Sequence, residues 1–355
     1  MSGKGENNQK GGLPDLLKNL LHGTDEVLTK PAQSSLRGQV VLVTGSSRGL
    51  GYLIAREFGR EGCQLVLTAR DQVELDRASQ DLKDLGFPVK AISCDISKKE
   101  QVERLIDEAT AHYGRIDVLV NNAGIIQVGP ENSMTLENFE QVLNIDFWGL
   151  VYTTLKVLPQ MRQRGSGQIV NITSIGGKVA APHLLPYSAA KFAATGFSEG
   201  LRAELKQDGI SVTTIVPGLM RTGSHINAYF KGDQAREFGW FSLGASFPFI
   251  SMDAERAAAQ IVEATKLKKA ERILSAPANL LVRFNGLFPA VTQEILTLVN
   301  NLALPKSDKK QPDEGVRGVK VEDEASNPIF DMLTTLGRSA ANRFRQHPGP
   351  LNLEK

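Results

Sequence analysis

The chain has 355 residues, 41% hydrophobic and 23% charged, enough to bury a sizeable core and too apolar to be disordered as a whole. Its 41 basic and 39 acidic residues leave a formal charge of +2, so no global field favours nucleic acid or an anionic membrane. The two cysteines, Cys63 and Cys94, lie beside apolar strand-like runs and read as reduced, buried thiols, which makes the cytoplasm the default compartment.

Residues 1–35 are polar and Gly-rich, with one short amphipathic piece, "LPDLLKNLLHG". The start has lysines but no apolar stretch of signal-peptide length, and no segment offers about 18 apolar residues in a row. From Gly38 onward, short apolar strands alternate with longer helical segments. The strands are "VVLVTG", "QLVLTA", "VKAISC", "DVLVNN", "GQIVNITS" and "SVTTIVPG". This alternation is the mark of βαβ units and a parallel sheet, and six such strands predict an α/β, doubly wound Rossmann fold with ligands at the carboxyl ends of the strands.

The first strand runs into "TGSSRGLG", where Gly45, Gly49 and Gly51 precede a helix. Glycines there permit a tight turn and let the backbone approach a pyrophosphate, whose charge is met by free N–H groups at the helix N-terminus. Farther along, "YSAAK" sets Tyr187 and Lys191 one turn apart on a helix. A phenol acts as acid and base near neutrality only if a close cation favours its phenolate, and a lysine four residues on supplies that cation. Taken alone the pair reads first as surface decoration, since residues four apart are neighbours on any helix.

After about Thr222 the alternation weakens into a loop holding Tyr229, Phe230, Phe238, Trp240, Phe241, Phe247 and Phe249. These aromatics read either as walls for an apolar substrate or as core. "MDAERAAAQIVEATKLKKAE" is a helix capped by Asp253. The domain so defined spans 36–275 as a single catalytic unit with terminal appendages. Residues 276–304 are apolar and helical, closing over the substrate side, with a membrane-surface role as the weaker reading. A charged stretch over 305–327 is expected to be a disordered linker, and 328–355 a tail with one more helix. The five histidines are scattered without ligand spacing, so no metal site is expected; His183 reads as a solvated loop residue.

The glycine spacing resembles the T-G-x-x-x-G-x-G of the short-chain dehydrogenase/reductase family. Further motifs fall in order: "NNAG" from Asn121 to Gly124, "LNIDFWG", "NITSIGG", "YSAAK" and "PGLMRT", with a 13-residue gap from Ser174 to Tyr187. The resemblance covers roughly Leu36 to Thr222. It implies hydride transfer between a nicotinamide cofactor and a carbonyl or alcohol, with Tyr187 as general acid and base and Ser174 donating to the same oxygen. Lys191 would favour the phenolate and hold the nicotinamide ribose, and Asn144 would fix a water linking that lysine to solvent. Isomerase or dehydratase chemistry, and a catalytically silent dinucleotide sensor or membrane-peripheral scaffold, are the competing readings.

For the cofactor, the resemblance implies contacts from Gly45, Ser47, Arg48, Gly49, Leu50 and Gly51, then Arg70, Asp95 and Ile96. Asn122, Ala123 and Gly124 would follow, with Tyr187, Lys191, Pro217, Gly218 and Thr222. Asp95 would meet the adenine ring, or else cap a helix. The second strand ends "LVLTARD", with Ala69 where the family's acid is expected and Arg70 next. Arg48 adds a second cation, and two guanidiniums without a carboxylate favour NADP(H) over NAD(H), tempered by Asp71. The family also implies a homodimer or homotetramer through the helices about Leu136 to Arg164 and Tyr187 to Gly209.

Overall fold

A computed structural model describes residues 35–248, 250–306, 314–325 and 328–347. The expected N-terminal amphipathic piece and Phe249 therefore lie outside the described residues. The chain builds β1 (Val40–Thr44), α1 (Gly49–Arg60), β2 (Gln64–Thr68), α2 (Gln72–Asp84), β3 (Val89–Ala91), α3 (Lys99–Tyr113) and β4 (Val118–Asn121). There follow a short β5 (Gln127–Val128), α4 (Leu136–Leu143), a π-helical turn at Asn144–Trp148, α5 (Gly149–Arg164), β6 (Gly167–Ile172), α6 (Leu185–Leu205) and β7 (Ile210–Val216). The later part contains β8 (Met220–Arg221), β9 (Tyr229–Phe230), α7 (Gln234–Ser246), β10 (Met252–Asp253), α8 (Ala254–Lys266) and β11 (Glu271–Ile273). Last come α9 (Ala276–Leu287), α10 (Pro289–Ala303), β12 (Val316–Arg317), α11 (Gly318–Ala325) and α12 (Pro328–Arg343).

Seven parallel strands form the central sheet in the order β11-β7-β6-β4-β1-β2-β3. β1 is buried along its whole length, which is why it reads as an unbroken apolar run rather than an alternating one. One apolar cluster on the sheet gathers Leu53, Phe58, Leu75, Ile261 and Phe344, and a second gathers Leu105, Val157, Met161 and Leu205. Helices thus cover both faces, as the sequence predicts. The order reverses between β1, which is followed by β2, and its other neighbour β4, so the switch point lies at the end of β1.

Side-chain caps fix helix starts at Asp253, where one is expected, and at Asp71. Asp71 accepts the Glu74 N–H at 2.9 Å to open α2, and Asp253 accepts the Arg256 N–H at 3.0 Å to open α8.

Three features differ from the sequence reading. The seventh strand, β11, has three half-buried residues in a charged surround, too few for a periodic signal. The long helix expected from Leu136 onward is interrupted by the π turn, in which Gly149 N–H donates to the Asn144 carbonyl. Within 305–327, Val316–Arg317 pairs antiparallel with β9, and α11 seats Val321 against Phe230 and Phe238. Two valines among charges are enough there because the partner surface is already apolar.

Among the described residues no helix is long and apolar enough to cross a membrane. Both cysteines are buried and free, and burial pushes each thiol up to about 12.

Candidate active site

A cleft of about 880 Å³ opens at the carboxyl ends of the strands, at the switch point. It is lined by every site residue predicted from sequence except Asn144.

The glycine loop forms one wall. Gly45 has φ +65° and Gly49 φ +56°, left-handed values that favour glycine. A Cβ on Gly51 would stand 2.2 Å from the Gly45 carbonyl oxygen and 2.4 Å from Asn122 Nδ2. Helix α1 therefore starts in direct contact with the end of β4, and its first amides lie at the cleft. Asn122 braces the loop by donating to the Thr44 and Gly45 carbonyls at 3.0 and 3.2 Å. These features fit a dinucleotide: a backbone cradle that side chains would fill, at the N-terminus of a helix and at the switch point.

At the far end of the cleft the chain carries more charge than the sequence reading assigned. Arg48 Nη1 lies 2.7 Å from both carboxylate oxygens of Glu74, and Ser47 Oγ donates to the same group at 3.3 Å. The expectation of two guanidiniums without a carboxylate is thereby corrected. Glu74 sits one turn into α2 and folds back to the loop, out of reach of an argument confined to the end of β2. Arg70 and Arg317 line the same cleft, and both lower the Arg48 pKa along with burial, against the pull of Glu74. Asp95 lines the cleft and caps no helix; its Oδ1 accepts from the Ser97 N–H and hydroxyl at 3.0 and 2.7 Å.

At the centre, β6 delivers Ser174 two residues beyond its end, and α6 presents Tyr187 and Lys191 one turn apart. Ser174 Oγ accepts the Gly176 N–H at 3.0 Å, and Ser174 Oγ and the Tyr187 ring both border Gly176. Lys191 is 5% exposed, and its Nζ donates to the Ile172 carbonyl at 3.3 Å and lies 5.6 Å from the Tyr187 ring centre. Its charge is met by Asp146, whose Oδ2 is 3.2 Å away and whose Oδ1 accepts the Ile125 N–H at 2.8 Å.

Asp146 was missed in the sequence, and Asn144 took its place. Asn144 caps α4, is exposed, and lies outside the cleft. The π turn inserts an extra residue per turn at this point, rotating the register so that Asp146 faces inward. The extra residue in "NIDFWG" leaves no trace in composition.

The pKa directions follow from this packing. Burial pushes the Tyr187 phenol up; Lys191 and the Ser174 hydroxyl oppose that shift and Asp146 adds to it, with a net rise. Burial alone would depress Lys191, but Asp146 and Tyr187 together outweigh it and hold the ammonium above its ordinary value. The net rise differs from the sequence expectation: Lys191 does favour the phenolate, but burial, with Asp146, outweighs it.

Beyond Tyr187 the wall is apolar, with Val179, Leu184, Trp240, Phe241, Leu281 and Leu296. The expected aromatics divide: Tyr229, Trp240 and Phe241 line the cleft, Phe230 and Phe238 are core, and Phe247 is exposed. His183 is buried rather than solvated; its Nδ1 lies 2.7 Å from Glu237 Oε1, and Trp240 Nε1 donates to Glu237 Oε2 at 2.6 Å.

A strand, a glycine turn and a helix N-terminus beside a Ser, Tyr and Lys cluster define a dinucleotide-binding α/β protein with the makings of an oxidoreductase. The family described as short chain dehydrogenase matches residues 39–230, and the chain belongs to that family. It is 38% identical over 201 residues to 11-beta-hydroxysteroid dehydrogenase 1A of Arabidopsis thaliana, covering 56% of this chain and 57% of that one. A short-chain dehydrogenase from Streptomyces avermitilis has the same fold at 33% identity and a TM-score of 0.63, covering 75% of this chain and 98% of that one. A gluconate 5-dehydrogenase from Burkholderia cenocepacia, solved with NADP and tartrate, is 25% identical with a TM-score of 0.59, covering 70% and 99%. The chain spans under two thirds of the length of the plant and insect relatives it matches.

Proposed function

We propose that this chain is an NADP(H)-linked oxidoreductase that interconverts an apolar carbonyl compound and its alcohol, with Tyr187 as the general acid and base. The convergence of Ser174, Tyr187, Lys191 and Asp146 in one cleft carries this reading. When bound, the dinucleotide supplies or accepts the hydride.

In reduction, the Tyr187 phenol gives its proton to the carbonyl oxygen as the carbonyl carbon gains the hydride; in oxidation it takes the hydroxyl proton back. Ser174 uses its hydroxyl hydrogen to stabilise charge on that oxygen, its own lone pair being held by Gly176 N–H. Lys191 stabilises the phenolate left behind, and Asp146 keeps Lys191 charged and in place. Gly45, Ser47, Gly49, Leu50 and Gly51 would cradle the pyrophosphate, with Ile96, Ala123, Gly124, Pro217, Gly218 and Thr222 as the cofactor's packing surface.

Arg48 and Arg70 would read a 2′-phosphate, with Glu74 moderating the preference. Apolar walls at Trp240, Phe241 and Leu281 favour a hydrophobic substrate, a reading in line with the steroid named for the plant relative. Exposed Leu136, Trp148, Leu155 and Phe192 on α4, the π turn, α5 and α6 support association of two copies there.

Fluorescence titration with NADPH and with NADH tests the cofactor, and a panel of carbonyl compounds tests the substrate. Tighter NADPH binding and turnover of apolar ketones are expected. Preference for NADH would overturn the first assignment, and preference for small polar ketones the second.

A further inference from the structure

The start of α1 is the place where the backbone would receive the dinucleotide pyrophosphate, and one of its amides is already engaged. Gly49 N–H donates to the Phe344 carbonyl at 2.8 Å, from the segment just past α12. Two residues on, the side chain of Gln346 lies over the same glycine: a Cβ on Gly49 would stand 2.4 Å from Gln346 Nε2. Gln346 is 5% exposed and lines the cofactor cleft.

This segment is held from two sides. Asn227 Nδ2 donates to the Gln346 backbone and side-chain oxygens at 2.7 and 2.8 Å. Arg343 pairs with Glu255 at 2.7 Å, Arg345 pairs with Asp81 and lies 5.4 Å from the Tyr52 ring centre, and the Phe344 ring is buried. A chance surface contact would not place a carbonyl on a glycine-loop amide and an amide side chain above it while hydrogen-bonding both to the body of the fold.

We propose that Phe344–Gln346 is an autoinhibitory strap that competes with the pyrophosphate of the cofactor for the Gly49 amide and the space above it. The inference rests on the dinucleotide reading of the site. A carbonyl and a phosphate oxygen are both acceptors, and one N–H directed at the first is lost to the second. Dinucleotide therefore binds only the fraction of molecules in which the strap has moved aside, and its apparent affinity is reduced by that fraction. Association is slowed as well, because a conformational step precedes full contact. Asn227 acts as the latch.

The test compares four chains: the full chain, a control ending at His347, one ending at Arg345 and one ending at Arg343. Each is checked for a cooperative thermal transition and titrated with NADPH and with adenosine 2′-monophosphate, which carries the 2′-phosphate but neither phosphate of the pyrophosphate. The control should bind like the full chain. The chain ending at Arg345 has lost Gln346 and should bind NADPH more tightly and faster, and the one ending at Arg343 more so, by about tenfold for the three hydrogen bonds removed. Affinity for adenosine 2′-monophosphate should change little.

Unchanged or weaker NADPH binding in a folded chain ending at Arg345 overturns the strap, even if the shorter chain fails to fold. An equal gain for adenosine 2′-monophosphate also overturns it, since the effect would not be competition with a pyrophosphate. If no chain, with or without the strap, binds NADPH or NADH, the dinucleotide reading itself fails and the strap with it.

Discussion

Asp146 and Lys191 form an ion pair at 3.2 Å, with side chains 0% and 6% exposed. A charged pair so far from water is sustained by mutual attraction and by further hydrogen bonds, here from Ile125 N–H to Asp146 and from Lys191 to the Ile172 carbonyl. Burial is the first cause of the raised Tyr187 pKa, and the two charges of the pair act on it in opposite directions, Lys191 lowering it and Asp146 raising it.

Replacing the carboxylate isosterically should be read in the pH profile. Asp146 raises both Tyr187 and Lys191, so Asp146→Asn lowers both. The acid form of Tyr187 exists below its pKa, so the alkaline fall of kcat/KM for carbonyl reduction should move to lower pH in the variant. Leaving Lys191 without its buried partner should also destabilise the fold by about 3–5 kcal/mol, visible in the thermal midpoint. A profile that keeps its alkaline limb would remove Asp146 from the proton chemistry.

Glu74 neutralises Arg48, so Glu74→Gln should free that guanidinium for a 2′-phosphate. NADPH affinity is expected to rise about fivefold, an effect near 1 kcal/mol for a partly exposed pair, while NADH affinity stays level. Calorimetric titration of both cofactors checks this. A matching rise for NADH would show that the pair does not discriminate between them.

His225 offers a stability test far from the chemistry. Burial first, then His347 and Arg338, lower its pKa to about 4, and its Nδ1 has no hydrogen-bond partner among the described residues. A histidine with a depressed folded pKa is neutral when folded, while the unfolded chain takes up the proton below about 6.5. Stability is therefore whole above pH 6.5 and falls as the pH drops towards 4, by at most about 3 kcal/mol from this group. The ring packs against Phe238 and beside Gly337 of α12, so the loss should appear first as exposure of the C-terminal helices. His225→Phe should flatten the pH dependence of the thermal midpoint in that window; an unchanged slope would assign it to other groups.

The glycine loop makes a steric prediction. Gly51→Ala drives a Cβ into the Gly45 carbonyl, a backbone atom that cannot step aside. Binding of both NADPH and NADH should fall at least tenfold in a protein that still unfolds cooperatively. Binding that persists would place the pyrophosphate elsewhere.

Much of this architecture was legible because strands buried on both faces announce themselves as apolar runs, as β1 does, and because glycines at a strand-to-helix turn have few other uses. Tyr187 and Lys191 were legible for a similar reason: four residues on a helix is one turn, whatever the tertiary context. Asp146 was not, because a π turn shifts which side chain faces inward without changing the residue types that report it. Glu74 escaped because its role depends on where α2 folds back. Arg317 and Gln346 reach the cleft from the far end of the chain, through a two-residue strand and a segment past the last helix, and local periodicity carries no signal of such returns. The family match ends at residue 230, before either of them.

On the proposed function, a hydride passes from a bound nicotinamide to an apolar carbonyl while Tyr187 delivers the proton. A labelling experiment gives the protein NADPH carrying deuterium at both C4 positions of the nicotinamide, together with a panel of apolar ketones and aldehydes, and weighs the alcohols formed. Alcohol carrying one deuterium on the former carbonyl carbon is expected, with Tyr187→Phe still binding NADPH yet forming none. Unlabelled alcohol, or labelled alcohol formed as fast by Tyr187→Phe, would contradict it.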